Sequence, residues 1–160
     1  MTSIYLIGSL RNPEVTKVAA EIRKAGYDVF DNWMAAGPEA DDYWMKYSKE
    51  KGLSYKEALQ SYEAKHVFEF DKRHLDRCDM AVLLLPAGKS GHLEIGYMAG
   101  TGKPTFALFE AEPERYDVMY QFLTGISFSL PELLEEIRQA EIDLFPYTRA
   151  RPGELSYNNF

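Results

Sequence analysis

The sequence predicts an α/β fold, a three-layer sandwich built around a mostly parallel sheet of four or five strands. The first 33 residues alternate strand, helix and strand, and such a βαβ unit makes its two strands parallel. Further along, DMAVLLLP (79–86) and KPTFALF (103–109) are almost continuously apolar, as strands buried on both faces are. A predicted helix between these two strands continues the alternation.

Each of the first elements has its own local signal. The first strand, SIYLIG (3–8), is a short apolar run that ends in glycine. The helix after it (13–26) has apolar residues at helical spacing, with Pro13 suited to its first turn and Gly26 to its stop. YDVFDNW (27–33) is predicted to be the second strand.

The middle of the chain is polar and aromatic and has no strand signal until residue 79. We expect a helical insertion at about 34–76, made of a short helix (39–50) and a longer one (54–76) that is either continuous or broken. After the buried strand, a loop leads into a helix over about 91–101.

The last third of the chain has weaker signals. ISFS (126–129) is predicted to be an edge strand, and LPELLEEIRQ (130–139) an amphipathic helix. Residues 141–160 lack periodicity and are predicted to be a C-terminal tail, either disordered or laid against another surface. Because no internal repeat is present, we expect a single domain over 1–160.

Composition disfavours several classes of function. The 160 residues include 18 basic and 25 acidic ones, and the net charge of -7 argues against a nucleic-acid partner. The single cysteine, Cys78, lies beside the apolar run AVLLL, which fits a buried thiol in a reducing compartment, the cytoplasm. No stretch approaches the ~20 apolar residues of a membrane span, and no basic leader precedes the first strand, so we expect no membrane partner.

Ligands of an open parallel sheet bind beyond the carboxyl ends of its strands, which directs attention to three loops. The first, GSLRN, offers Gly8 for close backbone approach, the hydroxyl of Ser9, and Arg11 as a phosphate or carboxylate ligand. It is equally well read as an ordinary turn with a solvated arginine. The third loop contains GKS, but a phosphate-binding P-loop needs a glycine where this chain has Leu83.

Two carboxylates stand out. If Ser90 caps the helix that follows, Glu94 lies at the end of its first turn, where the helix dipole helps to keep it ionised. It is then either a solvated helix-terminal acid or a nucleophile. Asp71, which follows Phe68 and Phe70 in the long helix, is either a solvated residue or the second member of a pair that attacks an anomeric carbon and handles the leaving group's proton.

The sequence offers no set of metal ligands. His66 and His74 are too far apart in the chain to form a known motif, and Cys78 is isolated. A Gly-x-Ser-x-Gly nucleophile elbow is also missing. We therefore expect neither a catalytic metal nor a cofactor.

Three segments resemble the nucleoside 2-deoxyribosyltransferase family. They are IYLIGSLR, FDKRHLDRCDMAVLLLP and SGHLEIGYMAGTGKP, and the resemblance covers roughly residues 3–110. It implies a flavodoxin/Rossmann-like α/β enzyme that cleaves the N-glycosidic bond of nucleosides or, in one hydrolytic branch, of nucleoside 5′-monophosphates. The sugar would pass through a covalent glycosyl-enzyme to another base or to water.

The resemblance also implies roles for individual residues. The family's nucleophilic glutamate corresponds to Glu94, its acid near the leaving base to Asp71, and its nucleophile-orienting tyrosine to Tyr5. A tyrosine there suggests a deoxyribose preference, because its hydroxyl competes for the space of a 2′-hydroxyl. The transferase pattern has an aspartate where this chain has Gly88, which weakens the case for 3′-hydroxyl recognition and for transfer.

The first loop is instead similar to the Gly-Ser-Ile-Arg loop of the monophosphate-cleaving branch. By that resemblance Ser9, Arg11 and Ser90 would hold a 5′-phosphate, with His92 in the same helix start. The hypothesis is that the substrate is a nucleoside 5′-monophosphate.

Further substrate contacts are expected from two other regions. Family members are oligomers in which a neighbouring subunit closes the sugar site, so Asp117, Met119 and Tyr120 are either site residues or plain interface and core residues. Asp31 and Trp33, after the second strand, are suited to border the base by hydrogen bonding and stacking.

Two alternatives to a transferase stay open. One is a nucleotide N-hydrolase without an acceptor base, with cleavage of the nicotinamide bond of NAD as a more remote variant. The other is a nucleotide-binding sensor that kept the pocket and lost the chemistry.

Overall fold

The computed structural model describes residues 1–146. Its five strands are all parallel and form one sheet in the order β2-β1-β3-β4-β5. The strands are β1 (Ser3–Ile7), β2 (Asp28–Phe30), β3 (Met80–Leu84), β4 (Thr105–Leu108) and β5 (Gly125–Ser127). This is the strand order of flavodoxin-like folds, and it confirms the predicted parallel α/β sheet, including its edge strand.

Helices cover both faces of the sheet. They are α1 (Glu14–Lys24), α2 (Ala40–Glu50), α3 (Tyr55–Ala58), α4 (Tyr62–Arg77), α5 (Lys89–Gly100) and α6 (Leu130–Leu144). Alternate strand residues divide the core in two, since successive side chains of a strand point to opposite faces. One half packs Ile4 and Leu6 with α1 and α6, and the other packs Tyr5 and Ile7 with α4 and α5.

The second strand is shorter than the predicted 27–33, because the chain turns into a 3₁₀ helix (Asn32–Ala36) directly after it. The indole N–H of Trp33 donates to the carbonyl of Leu6 at 2.8 Å, which fixes this turn under the end of β1. The residues following β2 therefore fold back over the sheet instead of extending it.

The predicted helical segment at 54–76 is broken. Ser54 and Glu57 form a reciprocal capping box at α3, and Ser61 accepts a hydrogen bond from the Ala64 N–H at the start of α4. Each serine begins a separate helix because its side chain satisfies a backbone donor that the helix leaves unpaired.

Helix α6 runs to Leu144, four residues into the predicted C-terminal tail, and the rest of that prediction from 147 onward lies outside the described residues. Its first turn is capped by Ser129, whose side chain accepts from the Glu132 N–H. Over residues 1–146, no helix is both long and apolar enough to cross a membrane.

Candidate active site

Tyr5, Asp71 and Glu94 converge from three elements, β1, α4 and α5, on the same face of the sheet. Tyr5 is only 1% exposed, while both carboxylates are half-buried. The Tyr5 hydroxyl interacts with the charges of Glu94 and Asp71 and hydrogen-bonds with the Asp71 carboxyl. Two carboxyls and a phenol thus lie together in a partly buried setting.

This setting shifts the protonation of all three groups. Burial, reinforced by the nearby charge of Asp71, raises the pKa of Glu94 from 4.5 to about 7. Burial also raises the pKa of Asp71, and its hydrogen bond with Tyr5 opposes that rise. The pKa of Tyr5 is raised by burial and then by the two negative charges, so its hydroxyl remains a hydrogen-bond donor.

The prediction that the helix dipole helps to keep Glu94 ionised is wrong. Helix α5 begins at Lys89 with Gly88 as its N-cap, and Ser90 lies inside the helix and does not cap it. Glu94 is therefore in the second turn, whereas the dipole effect falls off within the first. Burial and the charge of Asp71 decide its pKa, and they favour the protonated form.

Helix α5 approaches the sheet closely where Glu94 projects. A Cβ added at Gly91 would lie 3.1 Å from Leu83 Cδ1 and 3.2 Å from Ile7 Cγ2, so a larger residue there would push the helix outward. Ile95 and Met98 are buried against the same face. The glycine and these two apolar residues fix the depth at which α5 presents Glu94.

An aromatic cluster adjoins Asp71. The His74 ring stacks on Phe30 with centroids 3.9 Å apart and planes 10° apart, and Phe30 contacts the Tyr5 ring at 4.9 Å. Phe70 meets His74 edge-on at 4.7 Å. Burial, with the charges of two neighbouring arginines, lowers the pKa of His74, which favours the neutral ring in this stack.

Two cavities open above the carboxyl ends of the central strands. The smaller, about 530 Å³, is lined by Ser9, Arg11 and Gly88 among others. The larger, about 720 Å³, is lined by His92, Asp117 and Tyr120 among others. Both include Pro86, Ala87 and Glu110, so they are neighbouring parts of one cleft. Tyr5, Asp71 and Glu94 are not among the lining residues of either cavity. Leu85 and Ala87, which line the larger cavity, pack against the core cluster that contains Tyr5.

Arg11, the predicted phosphate ligand, is engaged by an acid of the helical segment. Its guanidinium donates to the Asp42 carboxylate of α2 at 2.8 Å, and both side chains are more than half exposed. Exposed ion pairs of this kind are weak and can exchange partners.

Gly8 was expected to let a ligand approach the backbone closely. Packing within the fold also accounts for a glycine at this position, since a Cβ there would lie 3.0 Å from Val15 Cγ2.

His92 and Tyr120 form one wall of the larger cavity. His92 Nδ1 lies 2.8 Å from the Gly88 carbonyl, so Nδ1 carries the proton, and Nε2 accepts from the Tyr120 hydroxyl at 2.9 Å. Asp117 caps the following 3₁₀ helix (Val118–Phe122) by accepting from the Met119 N–H. The Met119 side chain is 59% exposed and makes no wall of either cavity.

The two residues predicted to border the base are used within the fold. Asp31 accepts from the guanidinium of Arg23 in α1, with the closest atoms 2.5 Å apart. The indole N–H of Trp33 donates a hydrogen bond to the Leu6 carbonyl. Neither residue lines the cleft.

No protein-family model and no curated protein matches this sequence. Solved structures do match it in shape. A 2-deoxyribosyltransferase from Bacillus psychrosaccharolyticus superposes with a TM-score of 0.58 at 19% identity, covering 83% of this chain and 90% of its own. The chain has the 2-deoxyribosyltransferase fold.

Two other solved structures share it. A conserved protein from Enterococcus faecalis V583 has a TM-score of 0.59 at 18% identity, covering 87% of this chain and 98% of its own. The CMP N-glycosidase of Clostridium botulinum has a TM-score of 0.52 at 14% identity, and the match covers 86% of this chain and 99% of its own. Two of these three neighbours bear the names of enzymes, a 2-deoxyribosyltransferase and a CMP N-glycosidase, and at 19% and 14% identity what they share with this chain is the fold.

Within this 2-deoxyribosyltransferase fold, several cleft residues escaped the sequence prediction. Glu110 lines both cavities, and Phe109, Arg115 and Tyr116 line the larger one. The sequence carries a signal for Glu110, because this residue follows β4 at the same sheet edge as the three loops after β1, β2 and β3. Over residues 1–146, no group of three or more histidine, cysteine, aspartate or glutamate side chains is arranged to hold a metal ion.

Proposed function

We propose that this protein cleaves the N-glycosidic bond of nucleosides or their 5′-monophosphates, with Glu94 as nucleophile and Asp71 as the acid at the leaving base. The observation that carries the proposal is that Glu94, Asp71 and Tyr5 are partly or fully buried and interact with one another. A pair of interacting carboxyls retains a proton near neutral pH, which suits one to attack and the other to protonate.

The form of the pair that reacts has Glu94 ionised and the shared proton on Asp71. In the first step, this Glu94 carboxylate forms a bond to C1′ as the C1′–N bond breaks and its electrons leave with the base. Asp71 gives its proton to the departing base nitrogen. The Tyr5 hydroxyl hydrogen-bonds with the Asp71 carboxyl, interacts with the charge of Glu94 and competes for the space of a 2′-hydroxyl. In the second step, another base or water attacks C1′, Glu94 leaves, and the attacking group loses its proton to Asp71.

The test is a screen for free base release. Nucleosides and their 5′-monophosphates are incubated with the protein and separated by chromatography, with an acceptor base present or absent. A new nucleoside formed only with the acceptor demonstrates transfer, and release without it demonstrates hydrolysis. Glu94→Ala should abolish both, whereas unchanged ligand binding without any wild-type turnover would favour the nucleotide-sensor alternative.

The monophosphate branch has its own support. Ser9 and Arg11 line the smaller cavity beside Gly88, and Arg11 is the one cation among that cavity's lining residues. Ser90 is exposed in the first turn of α5. Comparing turnover of a deoxynucleoside with its 5′-phosphate decides the matter, and a large preference for the unphosphorylated compound would exclude this branch.

A second copy of the chain would complete the sugar site in this proposal, and the pair would act in the cytoplasm. Its support is the 3₁₀ helix at the cleft rim, where Val118, Met119 and Phe122 are 69%, 59% and 68% exposed. Mixing Glu94→Ala with Asp117→Ala protein tests this. Activity recovered by the mixture supports a shared site, and a monomer with full activity contradicts it.

A further inference from the structure

The segment from Glu94 to Pro104, Glu-Ile-Gly-Tyr followed by Gly-Lys-Pro, contains two residues that the proposed chemistry does not use. Tyr97 is one turn beyond Glu94 on α5, and Lys103 follows that helix. Both side chains reach across to the carboxyl-terminal end of α4, the helix that carries Asp71.

The contacts surround Asp76 in the last turns of α4. The Tyr97 hydroxyl donates to Asp76 Oδ1 at 2.5 Å, and Lys72 Nζ donates to Asp76 Oδ2 at 2.8 Å. Lys72 also lies over the Tyr97 ring, 5.4 Å from its centroid. Hydrogen bonds from Lys72 and then Tyr97 lower the pKa of Asp76, which keeps it an ionised acceptor.

Lys103 holds the backbone of the same turn. Its Nζ donates to the carbonyls of Leu75 at 3.1 Å and Asp76 at 2.6 Å. These carbonyls are among the last four of α4, which have no partner within the helix, and a cation there also complements the helix dipole. Leu75 is one turn beyond Asp71, so a fixed Leu75 carbonyl fixes the turn that bears the acid.

We propose that Tyr97 and Lys103 are positioning residues that clamp α4 against α5 and so set the separation between Asp71 and Glu94. The expected effect on catalysis rests on the proposed function. The expected effect on the Asp71–Glu94 separation does not, because the carboxyl pair and the clamp are both properties of the helix packing. The titratable groups that face Glu94 are Asp71 from α4 and Tyr5 from β1.

Tyr97→Phe tests the clamp, because it removes the hydroxyl and keeps the ring. Loosening α4 moves Asp71 away from Glu94 and admits water, and both changes lower the pKa of Glu94 toward its ordinary value. We expect the Glu94 titration midpoint, followed by carbon-13 NMR of labelled glutamate, to fall by roughly half a pH unit or more. We expect kcat per folded molecule to fall roughly tenfold, with KM little changed, because misplaced catalytic groups cost rate.

Tyr43→Phe is the matched control, because it removes a tyrosine hydrogen bond to Glu39 within the exposed helix α2. It should leave the Glu94 midpoint and kcat unchanged. At position 103, arginine should retain most of the activity and methionine should not, since arginine keeps donors for the two carbonyls.

An unmoved Glu94 midpoint in both Tyr97→Phe and Lys103→Met, with kcat within twofold of the wild type, would overturn the proposal. Lower thermal stability alone would mean a merely structural role and would count against it equally. If the wild type releases no base from any nucleoside or nucleotide, the proposed function fails, but the NMR titration still decides whether the clamp sets the carboxyl pair.

Discussion

Glu94→Gln should make the protein more stable at neutral pH, although it removes the proposed nucleophile. In the folded protein the pKa of Glu94 is raised from 4.5 to about 7. Between these two pH values the folded state binds more protons than the unfolded state, so stability falls as pH rises. The contribution of protonated Glu94 to the free energy of unfolding is fully present below about pH 4.5 and is lost as pH rises through about 7.

The size of the effect follows from the same shift. Each tenfold change in proton affinity corresponds to about 1.36 kcal/mol, so the ionised side chain lowers the free energy of unfolding by roughly 3 kcal/mol above pH 7. Glutamine has no charge to desolvate and does not repel Asp71, so the variant avoids this loss. This loss of stability has the same physical origin as the proposed reactivity of Glu94, because both come from holding a carboxylate anion in a partly buried site beside another carboxylate.

Urea unfolding at a series of pH values from 5 to 8 measures it. The free energy of unfolding of Glu94→Gln minus that of the wild type should grow with pH and level off above pH 7. Glu69→Gln, at an exposed acid of α4, is the matched control and should show no such growth. A Glu94→Gln difference that stays constant with pH would refute the reasoning, because it would mean that the carboxyl titrates alike in the folded and unfolded states.

Three further predictions concern the parts of the site. Gly91→Ala should destabilise the fold by roughly 1–3 kcal/mol and lower kcat, because the added Cβ contacts side chains of the sheet. Gly96→Ala is the control: its added Cβ has no atom within 4 Å, so thermal melts should show a stabilisation of about 1 kcal/mol. Tyr5→Phe should lower kcat and narrow the preference for deoxyribonucleosides over ribonucleosides by roughly tenfold or less, read from the ratio of kcat/KM values. Arg11→Gln should reduce kcat/KM for monophosphates by roughly 10- to 100-fold and spare nucleosides, while Lys17→Gln, which lies outside the cleft lining, should spare both.

The sheet was predictable because its signals are local. Continuous apolar runs identify β3 and β4, and the first strand, helix and strand form a unit whose handedness leaves little choice of topology. The short β2 was overestimated because the turn after it depends on a long-range bond from Trp33 to the Leu6 carbonyl. The sequence around Trp33 carries no mark of that partner.

The grouping of the candidate catalytic residues was predictable from the sequence, and their electrostatics were less so. The resemblance singled out Tyr5, Asp71 and Glu94, and the fold brings these three side chains together. The protonation of Glu94 was misjudged because it depends on burial and on Asp71, which is distant in sequence. Contacts such as Arg11 with Asp42 depend on how the helical segment folds back, and local patterns do not encode that.

The proposed mechanism passes through a covalent bond between the sugar and the Glu94 carboxylate, and trapping that bond is the most direct test. A nucleoside carrying fluorine at C2′ slows breakdown of the glycosyl-enzyme, since the fluorine destabilises the oxocarbenium-like transition state. After digestion with trypsin, which cleaves after Lys89 and Arg115 but not between Lys103 and Pro104, mass spectrometry should find the added fluorosugar mass on peptide 90–115, at Glu94, and find none in Glu94→Gln. Base release at the wild-type rate by Glu94→Gln, or a sugar adduct on any other residue, would contradict it.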